Sequence, residues 1–149
     1  MGHRESRLAM WLVIELGIYL KQNPLGLLAG PDAPHRLPLG LVRMPDVAFI
    51  SFDKIPNRTP SHDPIVTWVP DLAVEILSRG NTPSEMDRKI QEYFDAGVRL
   101  VWIADPRRKT VGVYHGVDEH QELTEDDFLD GEAVLPGFHC SIRDWMSCP

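Results

Sequence analysis

Residues 71–104 read DLAVEILSRGNTPSEMDRKIQEYFDAGVRLVWIA, and the pattern within them decides the fold class. Asp71 to Ser78 is a near-continuous apolar run, which is how a strand covered on both faces reads. Thr82-Pro83-Ser84-Glu85 is a capping box with proline at the first helical position. Met86, Ile90, Tyr93 and Phe94 then supply an apolar stripe, and Gly97 supplies the stop. Arg99 to Ala104, RLVWIA, is the next strand. The loop between the first strand and the helix is short, so the apolar face of the helix packs back onto the sheet.

Upstream, Met44 to Ser51 (MPDVAFIS) reads as a strand with Pro45 tolerated at its beginning. Residues 53–64 hold Pro56, Pro60 and Pro64 and read as loop, while 25–43 are punctuated by Gly and Pro with room for two short strands. Arg4 to Lys21 is a helix that is apolar almost all round, with Leu8, Trp11, Leu12, Leu16 and Tyr19 on one stripe. Such a helix is expected to be buried. Downstream, Asp105 to Lys109 is a turn and Thr110 to His115 the returning strand of a hairpin. One or two further strands follow, then a short helix near Ile142–Met146. The order predicts an α/β (α+β) fold, a central sheet flanked by helices, in one domain over 1–149.

Composition narrows the function classes. Hydrophobic residues make up 43% and charged residues 25%, as in an ordinary globular chain. The apolar run at 8–20 contains Glu15 and is shorter than the ~20 residues that span a bilayer, so no membrane partner is expected. Cys140 and Cys148 match neither a disulfide framework nor a zinc pattern, which predicts free thiols in a reducing cytoplasm. The histidines show no zinc spacing, and no Walker loop, GxGxxG or GxSxG is present. Net charge is −7, but unevenly spread: residues 116–149 hold nine acids against Arg143 alone, so they carry −8 and residues 1–115 carry +1. A nearly neutral body can still bind DNA weakly, on a face away from the acidic segment.

Few side chains are candidates for chemistry. Glu75 lies inside the apolar strand, and a buried carboxylate needs a partner: an ion pair, with Lys89 available, or a bound cation. Asp46 follows Pro45 at the start of its strand, where it is either a turn residue or a ligand. With Met86 as zero and about 100° per residue, Ile90 lies near +40°, Tyr93 near −20° and Lys89 near −60°. Lys89 therefore stands on the rim of the buried stripe, either covering the core edge or reaching toward Glu75. Glu5 and Glu15 on the first helix are further carboxylates that could join a cluster.

Taken in order, PDVAFIS, DLAVEILS, MDRKIQEYFDAGV, LVWIADPRRKTVGVY and the late LPGF at Leu135–Phe138 resemble the Uma2 family of restriction-endonuclease-like proteins, from about Glu5 to Trp145. The resemblance implies the PD-(D/E)XK fold, a mixed sheet with a helix on each side, and metal-dependent hydrolysis of DNA. It matches Asp46 to the aspartate of the PD half-motif and Glu75 to the second acid. The family's lysine is not at Leu77, two residues past Glu75, and is matched instead to Lys89. It also implies Mg²⁺ or Mn²⁺ held by Asp46, Glu75 and the backbone carbonyl of Ile76, with Glu5 as a further site residue. By the same comparison, a segment that relatives carry before the first helix is expected to be missing.

Two other readings stand beside this one. The same fold can serve as a catalytically silent binding or oligomerisation module, for example a homodimer. A hydrolase using Cys140 is the third. If the acidic segment repels DNA, the Arg107–Lys109 tip and the edge of the Lys89 helix are expected to supply phosphate contacts, and neutralising Glu125, Asp126 and Asp127 to tighten binding at low salt.

Overall fold

A computed structural model describes residues 1–149. Helix α1 (His3–Gln22) opens the chain, with Glu5 in its first turn and Lys21 in its last, each complementing the helix dipole. Asn23 ends it, its backbone N–H and side-chain amide both donating to the Tyr19 carbonyl at 2.9 and 3.1 Å. Short strands β1 (Gly26–Ala29), β2 (His35–Arg36) and β3 (Val42–Arg43) follow, then β4 (Val47–Ser51) and β5 (Leu72–Ile76). Helix α2 (Pro83–Ala96) begins as its capping box requires, with Thr82 Oγ1 accepting the Glu85 N–H at 3.2 Å. It ends at Gly97, whose φ of +102° is the left-handed conformation that glycine adopts at little cost. Strands β6 (Leu100–Asp105), β7 (Thr110–Gly116), β8 (Glu119–Leu123), β9 (Phe128–Asp130) and β10 (His139–Ser141) lead to α3 (Ile142–Met146).

Six strands form the central sheet in the order β1-β4-β5-β6-β7-β8. Only β5 and β6 run parallel, the pair that α2 connects; every other neighbour is antiparallel. The two sheet faces are divided by side-chain alternation. Val47, Phe49, Leu72, Val74, Ile76, Leu100 and Trp102 point to α1 and build the main core with its Leu8, Leu12 and Leu16. Ala73 and Val101 point the other way, to Ile90 and Tyr93 of α2. The fold is thus mixed α+β, with a helix on each face of a mixed sheet.

Three expectations change. The first helix is not buried all round: Met10, Ile14 and Ile18 are 59%, 39% and 56% exposed, because only one side of α1 meets the sheet and α3. Three short strands, not two, lie between 25 and 43, and three lie in the acidic remainder. β8 (EHQEL) has no apolar alternation to read because it is an edge strand with all but Leu123 exposed.

The acidic segment is also no appendage. Leu129, Leu135, Phe138, Ile142 and Trp145 are buried in the main core, and Trp145 Nε1 donates to the Leu8 carbonyl at 2.9 Å. Its acids fold onto the basic hairpin tip that was expected to supply phosphate contacts: Arg108 lies 3.1 Å from Glu122 and Lys109 3.7 Å from Glu125. Arg143 lies 2.7 Å from Asp126. Asp127 Oδ2 accepts the Thr124 N–H at 2.8 Å, so neutralising these acids would loosen a turn as well as remove charge.

Asp71, at the start of β5, is a buried carboxylate that the apolar reading of its strand passed over; it is 2% exposed. It accepts the Ser51 N–H at 2.7 Å and stands 3.1 Å from Lys54 Nζ and 3.6 Å from Arg99. Both cations keep contact with water, so the cost of losing Asp71 falls mainly on the orphaned Ser51 N–H. Asp71→Ala is expected to lower the unfolding free energy by about 2 kcal/mol, measured in urea as a lower midpoint with an unchanged slope. An unmoved midpoint would show that the carboxylate is not needed there.

Candidate active site

Two carboxylates meet where β4 enters the sheet beside β5. Asp46 is fixed through its backbone, whose N–H donates to the Val74 carbonyl at 3.0 Å. Its side chain is fixed as well, because Oδ2 accepts the Ile76 N–H at 2.7 Å. It is half-buried, and burial pushes its carboxyl above the usual range against the pull of the Ile76 N–H and Lys89.

Glu75 lies on the face of β5 that looks at α2 and is 5% exposed. Its Oε1 accepts the Tyr93 hydroxyl at 2.5 Å, and its Oε2 stands 3.8 Å from Lys89 Nζ. Lys89 and Tyr93 are four residues apart on α2, so one face of one helix turn presents both to the same carboxylate. Burial pushes Glu75 up to about 7; the Tyr93 hydrogen bond and Lys89 hold it down, while Asp46 raises it. Tyr93 is raised far above its ordinary value, first by burial and then by the charge of Glu75, so it remains a hydrogen-bond donor. The nearby Arg43 is already committed, its Nε donating to Glu92 at 2.7 Å. Lys89 is the ammonium that acts on both carboxylates, and the N-terminal ammonium adds to its pull on Asp46.

The structure brings Asp46, Glu75, Ile76 and Lys89 together, with Ile76 present through the amide that holds Asp46. It does not bring Glu5 to them: no group of three or more His, Cys, Asp or Glu side chains suited to a metal ion is formed. Glu5 sits at the third position of α1, on the helix that covers the opposite sheet face, and its carboxylate folds back against Gly2. That is the reciprocal position of a capping box, where an acid serves the helix start. Glu15 is exposed further along α1, toward the C-terminal cysteines. Cys140 is buried and free, and burial pushes its thiol up to about 12, which leaves no thiolate for catalysis.

Tyr93 is the residue that sequence reasoning missed. It was counted as apolar stripe, although a tyrosine one turn past Lys89 on the same side of the helix was the available signal. The Arg43–Glu92 pair was missed too; Glu92 is half-buried beside Arg43.

A mixed sheet between helices, with two acids where two central strands meet, is the arrangement expected of the restriction-endonuclease-like fold. The family model described as "Putative restriction endonuclease", Uma2, matches residues 1–143. The chain belongs to the Uma2 family. It also resembles a crystal structure described as "a putative nuclease belonging to DUF820" from Anabaena variabilis, with a TM-score of 0.86. The match covers 99% of this chain and 82% of that one, and at 20% identity the likeness is one of fold. No curated protein matches the chain. No helix is long and apolar enough to cross a membrane.

The raised carboxyls set a pH dependence. Between the ordinary carboxylate value and about 7, the folded protein holds a proton on Glu75 that the unfolded chain has released. The stability this group contributes is complete at low pH and is lost as pH rises through 7. The interval from 4.5 to about 7 corresponds to roughly 3 kcal/mol, with Asp46 acting in the same direction. In chelator, Glu75→Gln is expected to match the wild-type melting temperature near pH 4.5 and exceed it at pH 8. Parallel curves for the two proteins across that range would show that Glu75 carries no such strain.

Proposed function

We propose that the protein is a divalent-metal-dependent endonuclease that hydrolyses phosphodiester bonds of nucleic acid, with DNA as its substrate. The observation that carries this reading is the pairing of Asp46 and Glu75 beside Lys89, whose ammonium is 3.8 Å from Glu75. The charge balance fits Mg²⁺ or Mn²⁺: a dication offsets the charge of two desolvated carboxylates where protonation otherwise must, and the positive charge it leaves beside Lys89 suits a substrate phosphate. The donors fit as well. The Ile76 N–H occupies one Asp46 oxygen and the Tyr93 hydroxyl one Glu75 oxygen, leaving Asp46 Oδ1, Glu75 Oε2 and the Ile76 carbonyl as hard oxygen ligands. A site with one or two carboxylates, completed by water and substrate phosphate, suits Mg²⁺.

When bound, such an ion activates water and offsets charge on the scissile phosphate. The chain's own residues do the positioning. The Ile76 amide holds Asp46, Tyr93 orients Glu75, and Lys89, on the rim of α2 with its head partly open to solvent, places a positive charge beside the attacked group. One observation favours a silent module of the same fold: Glu75 already has both Tyr93 and Lys89 as partners, so its burial does not require a metal.

Asp46→Ala and Glu75→Ala are each expected to abolish Mg²⁺- or Mn²⁺-dependent nicking of supercoiled plasmid while circular dichroism stays native. Lys89→Met keeps the apolar stem and deletes the ammonium. It is expected to slow turnover by roughly 100-fold or more with calorimetric Mn²⁺ affinity largely retained. Full nicking by either carboxylate variant, or Mn²⁺ affinity lost together with activity in Lys89→Met, would contradict these roles.

A further inference from the structure

Just past the end of β5 lies a cavity of about 490 Å³, walled by the start of α1, the Leu77–Gly80 loop and Arg107 of the β6–β7 turn. Arg4, Arg79 and Arg107 all line it, and none of the three has a carboxylate within ion-pair distance. In a chain with 22 acids and 15 bases, three unpaired arginines around one space are a local excess of positive charge. Arg4 is built in: its Nη2 donates to the Pro106 carbonyl at 2.5 Å, tying the helix start to the turn that carries Arg107. Glu5 is the single acid of the wall, and it is turned back against Gly2.

We propose that this cavity is a subsite for a backbone phosphate of nucleic acid beside the scissile one, read without regard to base sequence; the proposal rests on the nuclease reading above. A guanidinium presents paired donors that match phosphate oxygens. The wall has one hydrophobic residue, Leu77, and none of the Phe, Tyr or Trp rings on which bases stack. Such a surface holds the backbone and fixes register but does not read bases. Leu77 is two residues past Glu75, a reach of at most about 7 Å of extended chain, so a phosphate in the cavity lies next to the carboxylates and not on them.

The test is duplex affinity of the full chain across a salt series, without divalent metal, for wild type, R79Q, R107Q and the double variant. Arg79 and Arg107 are exposed, so folding is not at stake. R58Q serves as the control, because Arg58 follows the end of β4 opposite to Asp46. Each cavity variant is expected to weaken binding several-fold and to lower the slope of log affinity against log salt by about one, equally on two duplexes of unrelated sequence. R58Q is expected to leave both unchanged. A preference for a 5′-phosphorylated over a 5′-hydroxyl duplex, lost in the double variant, would assign a terminal phosphate; equal competition by a covalently closed circle would assign an internal one. Wild-type affinity and slope in the double variant, or no duplex binding by the wild type at low salt, would overturn the subsite. The nuclease reading fails separately: if D46A nicks plasmid like wild type while the cavity variants lose duplex affinity, the subsite stands and the carboxylate assignment falls.

Discussion

A carboxylate cannot be buried alone, and Glu75 in the middle of the sheet sets the conditions that the rest of the site meets. Its two nearest partners, Lys89 and Tyr93, both come from α2, one turn apart. The axial register of α2 against the sheet is therefore part of the site's chemistry. That register is set at both ends, by the Thr82 cap and by Gly97 in its left-handed conformation, and along its length by Ile90 and Tyr93 packing onto Ala73 and Val101. A slip of one residue would remove the hydroxyl and the ammonium from Glu75 together. Asp46 is held independently, by two bonds to the backbone of β5, so the distance between the carboxylates is a property of the sheet.

Much of this was legible in the sequence because several signals agreed. The apolar run of β5, the capping box and stop of α2, and the helical angle of Lys89 all led to the same arrangement, as consistency across levels requires. What was not legible had specific causes. Tyr93 belongs to an apolar stripe by its ring and to the site by its hydroxyl, and a hydropathy pattern registers only the ring. Asp71 lies at a strand start whose partners, Ser51, Lys54 and Arg99, come from distant parts of the chain. β8 is polar except at Leu123 because it packs on one neighbour and faces water. The outer side of α1 remained open because the number of elements available to cover a helix is not written in the helix.

Charge is arranged with more order than the totals of acids and bases imply. The acidic C-terminal part does not hang free; it pairs with Arg108, Lys109 and Arg143 and contributes its apolar residues to the main core. The hairpin tip is neutralised by this arrangement, except at Arg107. Three unpaired arginines, Arg4, Arg79 and Arg107, instead collect beside the end of β5, next to the carboxylates. An acidic protein can in this way keep a positive approach to one place, since fields between exposed charges decay over about a Debye length, near 8 Å at physiological ionic strength.

The central claim is that Asp46 and Glu75 hold a divalent ion at a site which otherwise keeps a proton. Calorimetric titration of Mn²⁺ into wild-type protein, in buffers of different ionisation enthalpy at pH 6.5 and pH 8.5, measures both binding and the protons released with it. With Glu75 pushed up to about 7, binding at pH 6.5 should release a substantial fraction of one proton, and binding at pH 8.5 almost none. Mn²⁺ binding that released no proton at either pH, and that persisted unchanged in Glu75→Gln, would place the ion elsewhere and contradict the account.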